Sequence, residues 1–151
     1  MSELRTILAI EDSPEDFEVL ARALRKAEMQ ARIIHKTDGE SGLAALAQGV
    51  QATESDERIL PDMILLDLNL PATDGFGVLE RLKIDARFSS IPVIVLSTSS
   101  NPTDIRKAYK LGANSYISKP QDLKGYIEMA GILKEYWVSC VQLPPQEHMY
   151  V

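Results

Sequence analysis

The strongest constraint on this chain is an alternation, repeated five times, of short branched-apolar runs with longer amphipathic stretches. Ile7-Leu8-Ala9-Ile10, Met63-Ile64-Leu65-Leu66 and Val93-Ile94-Val95-Leu96 are the clearest runs; Ile33-Ile34 and Ser115-Tyr116-Ile117 complete the set. Brief continuous runs of this kind suit strands covered on both faces of a parallel sheet. Between them, Phe17, Leu20, Ala21, Leu24 and Ala27 recur at helical spacing, as do Val78, Leu79 and Leu82, and then Ile105, Ala108, Tyr109 and Leu111. Ser13-Pro14-Glu15-Asp16 supplies a hydroxyl cap, a proline at the first helical position and acids in the first turn; Asn101-Pro102-Thr103-Asp104 repeats the device, and Gly112 fits a helix end. The pattern predicts β-α five times between about residue 6 and residue 138, hence an α/β domain with helices on both faces of a parallel sheet. The stretch from about Gly49 to Arg58 reads as a long polar loop. The proline-bearing end, from Leu143 onward, reads as a tail.

At 151 residues the chain fits one domain, able to bury roughly 70% of its unfolded surface without a staple. Its 45% hydrophobic and 25% charged residues argue against disorder. The single cysteine, Cys140, rules out an intrachain disulfide and a cysteine zinc cage. A net charge of −6 disfavours nucleic acid and acidic membrane surfaces as partners. No leader-like segment opens the sequence, and no apolar stretch nears the ~20 residues of a membrane helix, so the expectation is a cytoplasmic protein.

Ligands of open parallel sheets bind at the carboxyl ends of the strands. The first run ends in Glu11-Asp12, the third in Asp67-Leu68-Asn69, the fourth in Ser97-Thr98-Ser99 and the fifth in Ser118-Lys119-Pro120. Singly these are weak signals: Glu11 and Asp12 suit a helix N-terminus, Ser97 a loop hydroxyl, Lys119 a solvated surface. Together they bring three acids, a hydroxyl and a lysine to one edge. Crowded carboxylates need a counter-charge, which a divalent cation and an ammonium supply. Such a set suits phosphoryl transfer onto a carboxylate.

Glu11-Asp12, Asp67 within Leu-Leu-Asp-Leu-Asn-Leu-Pro, Asp74-Gly75, Ser97 and Lys119-Pro120 match in order and spacing, and the chain resembles a response-regulator receiver domain over nearly its whole length. The loop before Leu60-Pro61-Asp62, the Leu-Asn-Leu-Pro segment and the ending Glu135-Tyr136-Trp137…Leu143-Pro144 resemble the small response regulators paired with cyanobacterial phytochromes. The resemblance implies a flavodoxin-like, doubly wound five-stranded parallel sheet, the (βα)5 receiver fold, spanning residues 1–138 as a single domain, with 139–151 as a C-terminal tail. It implies Asp67 as phosphoacceptor for a histidine kinase, phytochrome-type in this case. Mg2+, or Mn2+, would be held by Glu11, Asp12, Asp67 and Asn69, the last through its backbone carbonyl. Ser97 and Tyr116 would be switch residues, Lys119 the phosphoryl partner, and the Lys119–Pro120 bond a candidate for cis. The kinase would dock on the first helix around Phe17, Leu20 and Ala21. Output would pass through protein contacts rather than catalysis on a substrate.

Thr98 stands where many receivers carry alanine or glycine, and it should hinder small donors and water. Asn69 and Ser99 flank the site without an acid or base to activate water, which predicts a long-lived phosphoryl group. The last helix is apolar on more than one face, and this predicts a homodimer through Tyr126, Ile127 and Trp137. His35 reads as a surface residue. Two other classes fit less well. A haloacid-dehalogenase-type phosphatase needs a second aspartate where Asn69 stands, and a nucleotide or flavin module lacks its glycine-rich loop.

Overall fold

In the computed structural model, residues 6–51, 58–145 and 148–149 are described. In chain order the elements begin with β1 (Thr6–Ile10), α1 (Pro14–Lys26), β2 (Arg32–Lys36), α2 (Gly39–Gln48), β3 (Val50–Gln51) and β4 (Arg58–Ile59). There follow β5 (Met63–Asp67), α3 (Gly75–Ile84), β6 (Val93–Ser97), α4 (Pro102–Lys110), β7 (Ser115–Ser118) and α5 (Leu123–Leu133). A π-helical segment, Lys134–Cys140, continues α5, and β8 (His148–Met149) ends the described chain. Five strands pair in parallel in the order β2-β1-β5-β6-β7. This is the flavodoxin-like doubly wound order, and it puts the carboxyl ends of β1 and β5 side by side at its centre.

Alternation along the strands divides the apolar side chains between two layers. Leu8, Ile10, Ile64, Leu66, Val93 and Val95 face α2, α3 and α4, where Leu46, Val78, Leu79, Leu82 and Ala108 cover them. Ile7, Ala9, Met63, Leu65, Ile94 and Leu96 face α1 and α5, under Leu20, Leu24, Met129, Ala130 and Leu133. Each large side chain so buried contributes roughly 1.5–3 kcal/mol, so both faces are strongly specified. The expected caps are present: Ser13 accepts from the Asp16 N–H at 3.2 Å, and Asn101 from the Thr103 N–H at 2.8 Å. Gly112 ends α4 at φ 106°, and a Cβ there would lie 2.7 Å from the Lys83 side chain.

Four expectations need correction. The stretch after α2 is not only loop: β3 and β4 pair antiparallel, while residues 52–57 lie outside the described set. Nor is the end only a tail, since His148–Met149 pairs with Arg58–Ile59 and completes a second, three-stranded sheet. The β3–β4 pairing is a short local hairpin, whereas β4 and β8 join backbone groups far apart in sequence, which no local pattern announces. Tyr126 and Trp137 are 5% and 9% exposed, packed in the core layer between α1 and α5, so they present little surface to a second copy; the large apolar side chains that α5 and its π-helical extension expose are Ile132 and Tyr136. Leu20, at 3% exposure, is likewise core rather than docking surface, because the apolar stripe of α1 is spent on the sheet.

Candidate phosphoacceptor site

Strand ends place the site. Asp67 is the last residue of β5, Glu11 and Asp12 follow β1, Ser97 ends β6, and Lys119 follows β7. Glu11, Asp12 and Asp67 each offer a carboxylate oxygen, and these oxygens lie within 4.8 Å of one another. Glu11 and Asp67 are buried, at 5% and 4% exposure, while Asp12 is exposed. Like charges this close and this dry demand compensation. Lys119 provides part of it: its Nζ lies 2.8 Å from Glu11, 2.9 Å from Asp16 and 3.2 Å from Asp67. The residual negative charge and the all-oxygen donor set fit a hard divalent cation open to water on the Asp12 side.

The electrostatics follow from this crowding. Burial, reinforced by Asp67 and opposed by Lys119, raises the Glu11 carboxyl to about 7. Burial works against the Lys119 ammonium, but its bonds to Asp16 and Glu11 and the charge of Asp67 prevail and hold it above the ordinary lysine range.

The backbone fixes the reacting group. The Asn69 N–H donates to Asp67 Oδ1 at 3.0 Å, turning the chain immediately after the strand. Gly75 then opens α3 so close to that turn that a Cβ would meet Leu68 Cα at 2.4 Å and the Asp67 carbonyl oxygen at 2.5 Å, which is why glycine follows the capping Asp74. Ser97 is fully buried and its Oγ accepts from the Ser99 N–H at 3.1 Å. Ser99 Oγ donates to Asp104 at 2.7 Å, and the half-buried Tyr116 donates its hydroxyl proton to the Ser99 carbonyl at 2.8 Å. Asn69 Nδ2 reaches Thr98 Oγ1 at 3.3 Å, bridging the two loops that border Asp67.

The structure thus gathers Glu11, Asp12, Asp67 and Lys119 at one point, with Ser97, Ser99, Tyr116, Asn69 and Thr98 on the adjoining loops. Ile127 lies elsewhere, half-buried on α5. The Lys119–Pro120 bond is trans, since no cis bond occurs among the described residues; in this geometry the Lys119 N–H donates to the Ser97 carbonyl at 2.7 Å, extending the β6–β7 pairing to the lysine. His35 is not a free surface group: its ring stacks on Phe17 at 3.7 Å, and Nε2 lies 2.8 Å from the Glu11 carbonyl. The sequence reading missed Asp16, treating it as a helix-start acid. Nothing local marks its contact with Lys119, because an acid three residues after the capping Ser13 ordinarily serves the helix start.

A sheet in this order with acids, hydroxyl and lysine at its carboxyl edge defines a class, and the family comparison agrees: residues 7–130 match the response regulator receiver domain, and the chain belongs to that family. It is a receiver of the two-component signalling type. Among individual relatives, it is 36% identical to the response regulator Rcp1 of Synechocystis sp. over 140 residues, covering 93% of each chain. It is 38% identical to a probable methanogenesis regulatory protein, FilR2, of Methanothrix harundinacea over 141 residues, covering 91% of this chain and 86% of the relative. The solved structure of the phosphorylated cyanobacterial phytochrome response regulator RcpA superposes with TM-score 0.82 at 36% identity, covering 95% of this chain and all of the other; that of Rcp1 in its Mn2+-bound form gives 0.80 at 35%, covering 93% and 99%. No described helix is long and apolar enough to cross a membrane.

Proposed function

We propose that Asp67 is the phosphoacceptor of a cytoplasmic two-component relay and takes its phosphoryl group from the phosphohistidine of a phytochrome-type histidine kinase. The observation that carries this is a buried carboxylate at the end of a central strand, 3.2 Å from a lysine it shares with Glu11 and Asp16. An Asp67 carboxylate oxygen attacks phosphorus, the P–N bond breaks, and its electron pair returns to the imidazole nitrogen. The product is an acyl phosphate on Asp67. Asp12, Asp67 and the Asn69 carbonyl, with Glu11 chiefly through water, would hold Mg2+ or Mn2+, which when bound would neutralise charge on the oxygens of the transferring group. The Mn2+-bound relative and the acidic cluster here support a divalent ion.

Lys119 turns toward the new phosphoryl oxygens, and Ser97 leaves the Ser99 N–H to donate to them. Breaking that bond loosens the Ser99 carbonyl that holds the Tyr116 hydroxyl, so the charge change at Asp67 reaches the α4–β7 surface. Asn69 and Ser99 leave water unactivated, and the Asn69–Thr98 bridge narrows its path, so the phosphoryl state is long-lived. The receiver unit spans 1–138. The signal leaves through protein contacts, with a homodimer through Ile127, Ile132 and Tyr136 as one output, checked by sedimentation with and without phosphorylation.

The test is incubation with a phosphorylated kinase, or a small acyl phosphate, plus Mg2+, read by intact mass. Uptake of one phosphoryl group that is absent from Asp67→Asn supports the reading; equal uptake by Asp67→Asn overturns it.

A further inference from the structure

Asp16 is the third position of a helix whose N-cap is Ser13. An acid there ordinarily folds back onto the N–H of the capping residue, closing a capping box. That N–H is already taken: Ser13 N donates to Glu11 Oε2 at 3.1 Å. The Ser13 hydroxyl still accepts from the Asp16 N–H, so the residue is anchored by its backbone while its carboxylate is released. It spans 103 residues of sequence to meet Lys119 Nζ at 2.9 Å, closer than Asp67 at 3.2 Å. The Lys119 side chain is only 6% exposed, whereas that of Asp16 is 38% exposed, so the ammonium is held at the rim of the site from the α1 side. The charge of Asp16 is also felt at Tyr126 on α5, where it adds to burial in raising the phenol, which places this carboxylate at the α1–α5 junction.

We infer that Asp16 is a positioning residue that parks Lys119 between acts of phosphoryl transfer, competing with the phosphoryl group for the same ammonium. The inference rests on Asp67 being the acceptor. When anionic phosphoryl oxygens arrive on Asp67, Nζ must weaken its bond to Asp16 in order to serve them. A partly exposed ion pair is modest in strength, so its removal shifts phosphoryl-state affinity by about two- to fivefold.

Two measurements test this on the full chain. In the unliganded protein, the Lys119 side-chain NMR signal at Cε and Nζ moves in Asp16→Asn and not in Glu15→Gln, which removes the neighbouring first-turn charge alone. With Mg2+ present, beryllofluoride, a phosphoryl mimic, binds Asp16→Asn about two- to fivefold more tightly than wild type by calorimetry, while Asp16→Glu binds like wild type. In a Lys119→Met background the Asp16→Asn effect vanishes. An unmoved lysine signal, unchanged or weakened beryllofluoride binding in Asp16→Asn, or an equal effect with and without Lys119, overturns the parking role. If wild type and Asp67→Asn take up the mimic equally, the acceptor reading itself has failed, and this inference falls with it for a separately visible reason.

Discussion

Two buried aspartates flank the same central strand and serve different ends. Asp62, just before β5, is 6% exposed, and its Oδ2 accepts the Thr6 N–H at 2.9 Å; in return the Asp62 N–H donates to the Thr6 carbonyl, at 2.9 Å. Asp67, closing β5, is 4% exposed and shares a lysine with two other acids. Burial of a charge therefore does not mark a reactive site by itself. Asp62 faces a backbone donor that cannot move without unzipping the sheet, so it is structural. Asp67 faces a side-chain ammonium that can change partners, and a gap in charge that only an added ion closes, so it can react.

The comparison is broken most sharply by exchanging the roles in turn. Asp67→Asn abolishes phosphoryl uptake by intact mass yet leaves thermal stability equal or higher, because it removes one of the crowded like charges. A loss of stability matching that of an Asp62 variant would erase the distinction. Asp62→Ala orphans the Thr6 N–H and costs about 1–3 kcal/mol in urea unfolding, while Mg2+-dependent phosphoryl uptake at Asp67 persists in the folded fraction.

A smaller effect comes from pH. The native state holds the Glu11 proton up to about 7, against an ordinary value of 4.5 in the unfolded chain. The stability this group contributes is full below about 4.5 and is lost as pH rises through about 7. Lys119 remains charged throughout that window. A divalent ion competes with the Glu11 proton, so Mg2+ should raise the Tm of the metal-free protein more at pH 8 than at pH 6. Equal shifts at the two pH values would separate Glu11 from the ion site. The smallest change is at the rim. Thr98→Ala opens the Asn69–Thr98 bridge and speeds phosphorylation by a small acyl phosphate several-fold, with little change for transfer from a kinase; the ratio of the two rates is the measurement.

Much of this was legible in the sequence. The five apolar runs and their caps announced strand and helix order, because side-chain period and capping are local properties. The strand-end acids Glu11, Asp12 and Asp67, with Lys119, were legible as a set because parallel topology sends all such ends to one edge. Legibility failed where local pattern and tertiary partner diverge. Leu20, Tyr126 and Trp137 read as apolar stripes on helices, and a stripe does not say whether the sheet or another chain will cover it. His35 gave no cue of its stacking on Phe17.

By itself, then, the sequence determined the alternation of elements and which residues stand at the reactive edge. Tertiary structure alone decided that α1 and α5 share one face of the sheet, that His148–Met149 pairs with Arg58–Ile59, and that Asp16 surrenders its capping role to hold Lys119. The physical reason is range. Periodicity and caps act within a few residues, whereas the partner of a buried charge or an apolar face is whichever group the folded chain delivers there, and for Asp16 that group lies at the far end of the sheet order, after β7.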